Sequence, residues 1–151
     1  MSIAERWQRF EKLPADVRQN LEKLVPLFEE KGVLLAYLFG SLSRHQPGND
    51  VDIAILTRAE SVFRLRAAIS DILGTERVDL VDLRNAPPIL RFEILCSGQL
   101  LYAVDEATQE QFELASLHLY RDTSPLRRQQ EVSLRERIAS WLSEKKASNS
   151  A

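Results

Sequence analysis

The sequence predicts an α/β domain, a mixed sheet wrapped by N- and C-terminal helices, and three observations predict it. Val33-Leu34-Leu35-Ala36-Tyr37-Leu38-Phe39 is a continuous apolar run bounded by glycines, too short for most helices and suited to a strand buried on both faces. Asp50 to Leu56 alternates, with Val51, Ile53 and Ile55 on one face and Asp50, Asp52 and Ala54 on the other, as a strand requires. Before, between and after these runs, apolar residues recur at the helical period, which is the pattern of layered helices on a sheet.

Taken in order, Ser2-x-x-Glu5 reads as a capping box, followed by Trp7, Phe10 and Leu13 at helical spacing. A second helix is expected over about 14–31, from Val17, Leu21, Leu24, Val25 and Phe28, closed by Gly32. Pro26 inside it removes a backbone donor and predicts a kink or an early last turn. After the two strands, residues 59–73 read as a helix through Val62, Leu65, Ile69, Ile72 and Leu73, and Arg77–Leu83 as a third strand. Pro87–Cys96 reads as a helix that begins with prolines. Gln99–Val104 reads as a short strand. From Glu106 the chain is helical, with Phe112, Ala115 and Leu119 on one stripe and Leu134, Ile138, Trp141 and Leu142 on another, separated by Thr123-Ser124-Pro125. A single domain over 1–145, with its core at about 33–104, and a frayed polar tail over 146–151 are the expected organisation.

Composition narrows the function classes. Twenty basic against twenty-two acidic side chains leave a net charge of −2, without the positive excess that a phosphate-backbone binder uses, so long nucleic acid is a poor partner. No run of roughly eighteen apolar residues exists and the N-terminus is polar at once, so a soluble, cytoplasmic protein with no membrane partner is expected. The one cysteine, Cys96, forms no internal disulfide and no multi-cysteine zinc site, and is expected as a small core filler.

The chemistry concentrates in Gly40-Ser41-Leu42-Ser43-Arg44-His45-Gln46-Pro47-Gly48-Asn49-Asp50-Val51-Asp52. A glycine-serine pair directly after a buried strand allows a sharp turn whose free N–H groups can hold phosphate, with the Ser41 hydroxyl as a further donor. Asp50 and Asp52, at i and i+2 of a strand, project from one face about 7 Å apart at the backbone. Two convergent carboxylates beside a phosphate cradle point to Mg2+, which favours one or two carboxylates completed by phosphate oxygens and water. The third strand adds Asp79 and Asp82 on opposite faces. Asp79 is the expected third carboxylate because it sits mid-strand in an apolar setting, where a solvated charge is least expected. Three carboxylates can hold two ions, one activating an acceptor hydroxyl and one neutralising a triphosphate, and Asp79 is also the natural general base. Asp82 reads as a solvent-side or capping residue.

These residues resemble the nucleotidyltransferase superfamily related to DNA polymerase β: Gly-Ser, a short loop with an arginine, Asp-x-Asp opening an apolar strand, then a lone Asp on a later strand. The short chain and the helices after the core look most like the minimal nucleotidyltransferase (MNT) group, the antitoxin halves of HEPN–MNT toxin–antitoxin pairs. The resemblance covers about Val33 to Val104, and more loosely the helices around it. It implies a nucleotidyltransferase-type core and Mg2+-dependent transfer of AMP, with ATP as substrate, to a tyrosine hydroxyl of a HEPN-type ribonuclease toxin that the modification silences. Carried over by position, Gly40 and Ser41 match the glycine-serine motif and Asp50 and Asp52 the metal pair. Asp79 matches the third carboxylate, and Arg44 a loop arginine that faces the triphosphate. The loop departs from the pattern: Leu42–Asn49 is eight residues where ten are usual, and His45 stands where glycine is common.

Each feature also has a plain structural reading. Gly40-Ser41 alone is an ordinary strand-ending turn, and Asp50 and Asp52 alone are a solvated strand start. Their order with Asp79 is what favours a catalytic site. His45 reads as an exposed loop residue and His118 as a surface or interface residue. Neither carries the upstream arginine of the HEPN ribonuclease motif. Arg121, Arg127, Arg128, Arg135 and Arg137, interleaved with acids, read as a solvated helix face that could meet an acidic partner. Trp141 and Leu142 read as packing residues, or as a stripe for a partner or a homo- or hetero-oligomer. A non-catalytic antitoxin acting by occlusion is the competing function, and transfer to a small molecule ranks lower, because only about 47 residues remain after Val104 to build an acceptor pocket. Nucleotide addition to RNA ranks lowest, since no basic groove is evident.

Overall fold

The computed structural model describes residues 13–40, 42–44, 50–58 and 61–149, without the side chains of Arg44 and 145–149. The expected first helix with Ser2, Glu5, Trp7 and Phe10 lies outside the described residues, as do Ser41 and His45.

The expected helix over 14–31 is three short pieces: α1 (Val17–Asn20), a 3-10 turn (Leu21–Leu24) and α2 (Val25–Glu30). Pro26 explains the break. Its ring would crowd the carbonyl of Glu22, four residues back, and it has no N–H to offer it. The Glu22 carbonyl instead accepts from the N–H of Val25, one residue earlier, which is the tighter 3-10 bond. The apolar stripe survives, with Val17, Leu21, Leu24 and Phe28 all buried.

Four strands follow: β1 (Val33–Phe39), β2 (Val51–Thr57), β3 (Val78–Asp82) and β4 (Gln99–Ala103). Their order is β3-β2-β1-β4. β1 is antiparallel to both β2 and β4, whereas β2 and β3 are parallel. The mixed α/β sheet is therefore as expected. A parallel pair needs a crossover, supplied here by a 3-10 turn (Val62–Leu65) and α3 (Arg66–Leu73).

Both faces of the sheet are packed. On the first, Ala36, Leu38, Val51, Ile53, Ile55, Val78 and Leu80 meet the buried stripe of α1–α2 together with Leu65, Ile69 and Leu73. On the second, Leu35, Tyr37 and Ala54, with Phe39, Leu56 and Val81, meet Leu90, Ile94 and Leu95 of α4 (Pro88–Ser97) and Phe112 of α5 (Glu106–Asp122). The Tyr37 hydroxyl donates to Glu113 Oε1 at 3.3 Å, and Gln109 donates to the same oxygen at 3.1 Å, pinning α5 to the sheet. Burial, and then the Glu113 carboxylate, push the Tyr37 phenol far above its ordinary range.

Three packing expectations are corrected. Cys96 is exposed rather than a core filler, because α4 presents Ile94 inward and position 96 is turned to the outer side. In α5 the fully buried residue is Ser116, while Leu119 is 37% exposed and Ala115 is exposed. The inward line therefore runs Phe112–Ser116–Tyr120 instead of Phe112–Ala115–Leu119. Trp141 and Leu142 lie on α6 (Ser124–Asn149), where they are 54% and 50% exposed, so they are not core packing residues. α6 starts well anchored: Arg127 Nη1 donates to the Tyr120 carbonyl at 2.7 Å and to Thr123 Oγ1 at 2.6 Å. Its guanidinium lies 3.6 Å from the centre of the Tyr120 ring, which stacks on Phe92 at 3.9 Å. The helical backbone runs on through Asn149. Among the described residues no helix is long and apolar enough to cross a membrane.

Candidate active site

The site is built by strand register. Phe39 of β1 is the partner of Asp52 of β2, and Asp52 is the partner of Asp79 of β3. By strand parity all three side chains belong to the second sheet face, one row beyond Tyr37, Ala54 and Val81. One rung further out, the register of Val51 with Val78 sets Asp50 against Arg77. On this second face the two outermost rungs of the parallel pair are thus Asp50–Arg77 and Asp52–Asp79, with Val51–Val78 between them on the other face.

Gly40 closes this row. It has a left-handed φ of +74°, and a Cβ there would collide with Oδ2 of Asp52 and stand 3.3 Å from its Cγ. A side chain is excluded by both conformation and contact. The glycine of the Gly-Ser motif and the second carboxylate of Asp-x-Asp are therefore one local structure. Beyond it, Leu42–Arg44 forms a 3-10 turn, held by the buried Leu42 and by Ser43. The Ser43 hydroxyl donates to the Gly40 carbonyl at 2.8 Å and reaches the Ser97 carbonyl at the end of α4 at 3.3 Å. Sequence reasoning assigned Ser43 no role, although a hydroxyl three residues after a turning glycine is a recognisable turn signal. Ser41 and the side chain of Arg44 are outside the described residues.

Electrostatics separate the carboxylates. Burial first, then Asp79, then Asp50 raise the proton affinity of Asp52, the behaviour of a half-buried acid with like-charged neighbours. Asp50 takes a different partner, its Oδ1 accepting from Arg77 Nε at 2.9 Å. Arg77 was read only as a strand start. The signal that finds it is its position two residues before Asp79, on the same strand face. Asp79 is exposed and not in the apolar setting expected of it, because β3 is an edge strand and the covering helices pack further along it. Asp82 is spent on the turn after β3, accepting from the Arg84 N–H at 3.0 Å and from its guanidinium at 3.2 and 3.0 Å. The Arg84 hydrogen bond is the main reason its carboxyl sits below the usual range.

Asp50, Asp52 and Asp79 thus stand along one strand face, but among the described residues no three His, Cys, Asp or Glu side chains are grouped closely enough to hold a metal ion together. The arrangement is an open row of acids beneath a glycine turn. A separate open concavity of about 730 Å3 lies at the α5–α6 elbow, lined by residues such as Arg121, Arg128 and Glu136. It contains none of the row.

The sequence profile described as "Polymerase beta, Nucleotidyltransferase" matches residues 22–107, from the helices before β1 to just after β4. Protein adenylyltransferase MntA of Shewanella oneidensis is 29% identical over 110 residues, 68% of this chain and 78% of that protein. Among solved structures, a chain of the tri-AMPylated Shewanella oneidensis HEPN toxin in complex with MNT antitoxin matches with a TM-score of 0.64 at 26% identity, over 78% of this chain and 98% of that one. A chain of a toxin–antitoxin structure with AMP-PNP matches with a TM-score of 0.65 at 28% identity, over 76% and 98%.

Proposed function

Because the chain belongs to the polymerase β-type nucleotidyltransferase family, whose profile matches more than half of it, we propose that it is an antitoxin-type protein adenylyltransferase. It transfers AMP from ATP to a tyrosine hydroxyl of a HEPN ribonuclease partner, which the modification neutralises. The observation that carries the reading is the Asp52–Asp79 rung closed by Gly40, with Asp50 one rung away. The named relative is a protein adenylyltransferase, and the matching complexes hold an AMPylated HEPN toxin or AMP-PNP.

The donor set fits Mg2+ as an open site. Hard oxygen ligands from Asp50, Asp52 and Asp79 leave positions for triphosphate oxygens and water, which is how Mg2+ is usually held. When bound, Mg2+ neutralises the triphosphate and the departing pyrophosphate. The chain's residues do the rest. The turn at Gly40-Ser41 offers backbone N–H groups and a hydroxyl to the phosphates, and Arg44 supplies a cation to them. The tyrosine oxygen bonds to the α-phosphorus as the bond from that phosphorus to the β-phosphate bridging oxygen breaks. Pyrophosphate leaves, and the phenolic proton passes to Asp79, which stands in the row and is exposed to an incoming side chain. An ATP-consuming reaction and a single reduced cysteine fit the cytoplasm.

Two observations favour a second reading, neutralisation by binding alone: Asp50 is engaged by Arg77, and the loop Leu42–Asn49 is eight residues long. Intact-mass measurement of the HEPN partner after incubation with Mg-ATP separates the two. Wild type should add AMP and Asp50→Ala/Asp52→Ala should not. A tight complex with no added nucleotide from any of the four common NTPs refutes transfer and establishes occlusion.

A further inference from the structure

We infer that Arg77 is a positioning residue that acts as the internal counter-cation of the acidic row, occupying Asp50 until a divalent ion arrives and so setting how tightly the site takes metal. This rests on the reading above that Asp50 and Asp52 hold a divalent cation.

The backbone places Arg77 before its side chain is considered. Its carbonyl accepts the Val51 N–H at 2.8 Å, the first bond of the β2–β3 pairing, and its own N–H donates to Thr75 Oγ1 at 3.1 Å. From that position the guanidinium reaches across to Asp50, Nε to Oδ1 at 2.9 Å, with the arginine side chain 21% exposed and the aspartate 45% exposed. Arg77 thus lies along the strand edge instead of extending into solvent. It faces Asp50 directly, and the Asp52–Asp79 pair is the next rung on the same strand face. Three carboxylates side by side repel one another, and a fixed guanidinium on the outer one offsets part of that repulsion. A divalent ion supplies the same counter-charge more strongly and competes with Arg77 for the same carboxylate. An exposed ion pair of purely structural use contributes little and would leave metal affinity unchanged.

The test is Mn2+ binding to the full chain without nucleotide, followed by the electron paramagnetic resonance of free Mn2+, with melting temperature measured in parallel. Removing one positive charge beside a divalent ion at a partly solvated site should tighten Mn2+ binding by roughly three- to tenfold in Arg77→Gln. Arg77→Lys, which keeps the charge, should stay near wild type. The metal-free Arg77→Gln protein should melt below wild type, and saturating Mn2+ should close the gap. Arg77→Met keeps the aliphatic stem and serves as a second neutral variant if Arg77→Gln does not fold. Equal or weaker Mn2+ binding in the neutral variants overturns the inference while leaving the metal site standing. If wild type shows no Mn2+ binding that Asp52→Asn abolishes, the metal site itself fails and the inference with it.

Discussion

Replacing Gly40 by alanine tests the physical link between the two motifs, and Gly32 provides its control. Both glycines are left-handed, with φ of +74° and +71°, but a Cβ on Gly32 meets nothing within 4 Å, whereas a Cβ on Gly40 collides with the Asp52 carboxylate. Gly32→Ala therefore carries only the conformational penalty, about 1–2 kcal/mol. Gly40→Ala carries the same penalty plus the cost of moving the carboxylate or opening the turn, roughly a further 1–3 kcal/mol by analogy with overpacked cores. Urea unfolding, read as a shift of midpoint at unchanged slope, should place Gly40→Ala below Gly32→Ala by at least about 1 kcal/mol. Asp52→Ala removes Oδ2 and Cγ and leaves a Cβ 3.6 Å from the new methyl position, an ordinary contact. The double variant should recover most of the excess, a coupling of about 1 kcal/mol or more. The same displacement should slow AMP transfer by about a hundredfold, since a misplaced catalytic group costs that much, read as a time course of partner mass. Equal costs for the two glycines, or no coupling with Asp52→Ala, would refute the reasoning.

Two further predictions concern stability. In the metal-free protein the raised proton affinity of Asp52 means the folded chain holds a proton that the unfolded chain releases, so this group's contribution is fullest at acid pH. It is lost as pH rises from roughly 4 through the folded value. Asp82 and Asp105 are shifted down and contribute with the opposite sign, so the difference between wild type and Asp52→Asn isolates Asp52. Asp52→Asn should gain on wild type as pH rises, and a difference in urea midpoint that stays flat or reverses would show the assignment to be wrong. Ser116 has a fully buried hydroxyl with no hydrogen-bond partner among the described residues. Ser116→Ala should be neutral or stabilising by up to about 1 kcal/mol, because it removes an unsatisfied polar group. A loss larger than that would reveal a bond the hydroxyl makes.

Periodicity carried most of the fold because the strands are extreme in pattern. β1 is buried along nearly its whole length and reads as an unbroken apolar run, and β2 carries its acids only at its start, where Asp50 and Asp52 are half-buried. Helical phase was harder. α4 is apolar nearly all round, with Ile89, Leu90, Phe92, Ile94, Leu95 and Cys96 in nine residues, so the sequence does not say which side faces in, and Cys96 fell on the wrong one. In α5 the fully buried position is a serine, Ser116, and a pattern of apolar residues selects its neighbours instead. The candidate site was legible as three acids and a glycine in order, but not as a row. Nothing in one sequence states that Asp52 and Asp79 are register partners, because strand order and offset are tertiary facts. Arg77 was missed for the same reason, since a cation at a strand start reads as a solvated end until the facing Asp50 is known.

The position of the row also bears on what it can accept. β1 and β2 are buried on both faces, so charge is tolerable only at their ends, and Asp79 is the second residue of β3 (Val78–Asp82), an edge strand of the sheet. That combination forces the acids to the rim of the sheet, where Asp79 is exposed and the Asp50 side chain is 45% exposed. Transfer to a chosen hydroxyl requires that water, the competing acceptor, be kept away from the phosphorus. With Asp79 exposed at the rim, part of that exclusion falls to the nucleotide and to the acceptor itself. A folded protein presenting a tyrosine can cover such a rim, whereas a small molecule would need an enclosing pocket. The exposed Asp79 at the rim therefore supports the proposed protein acceptor.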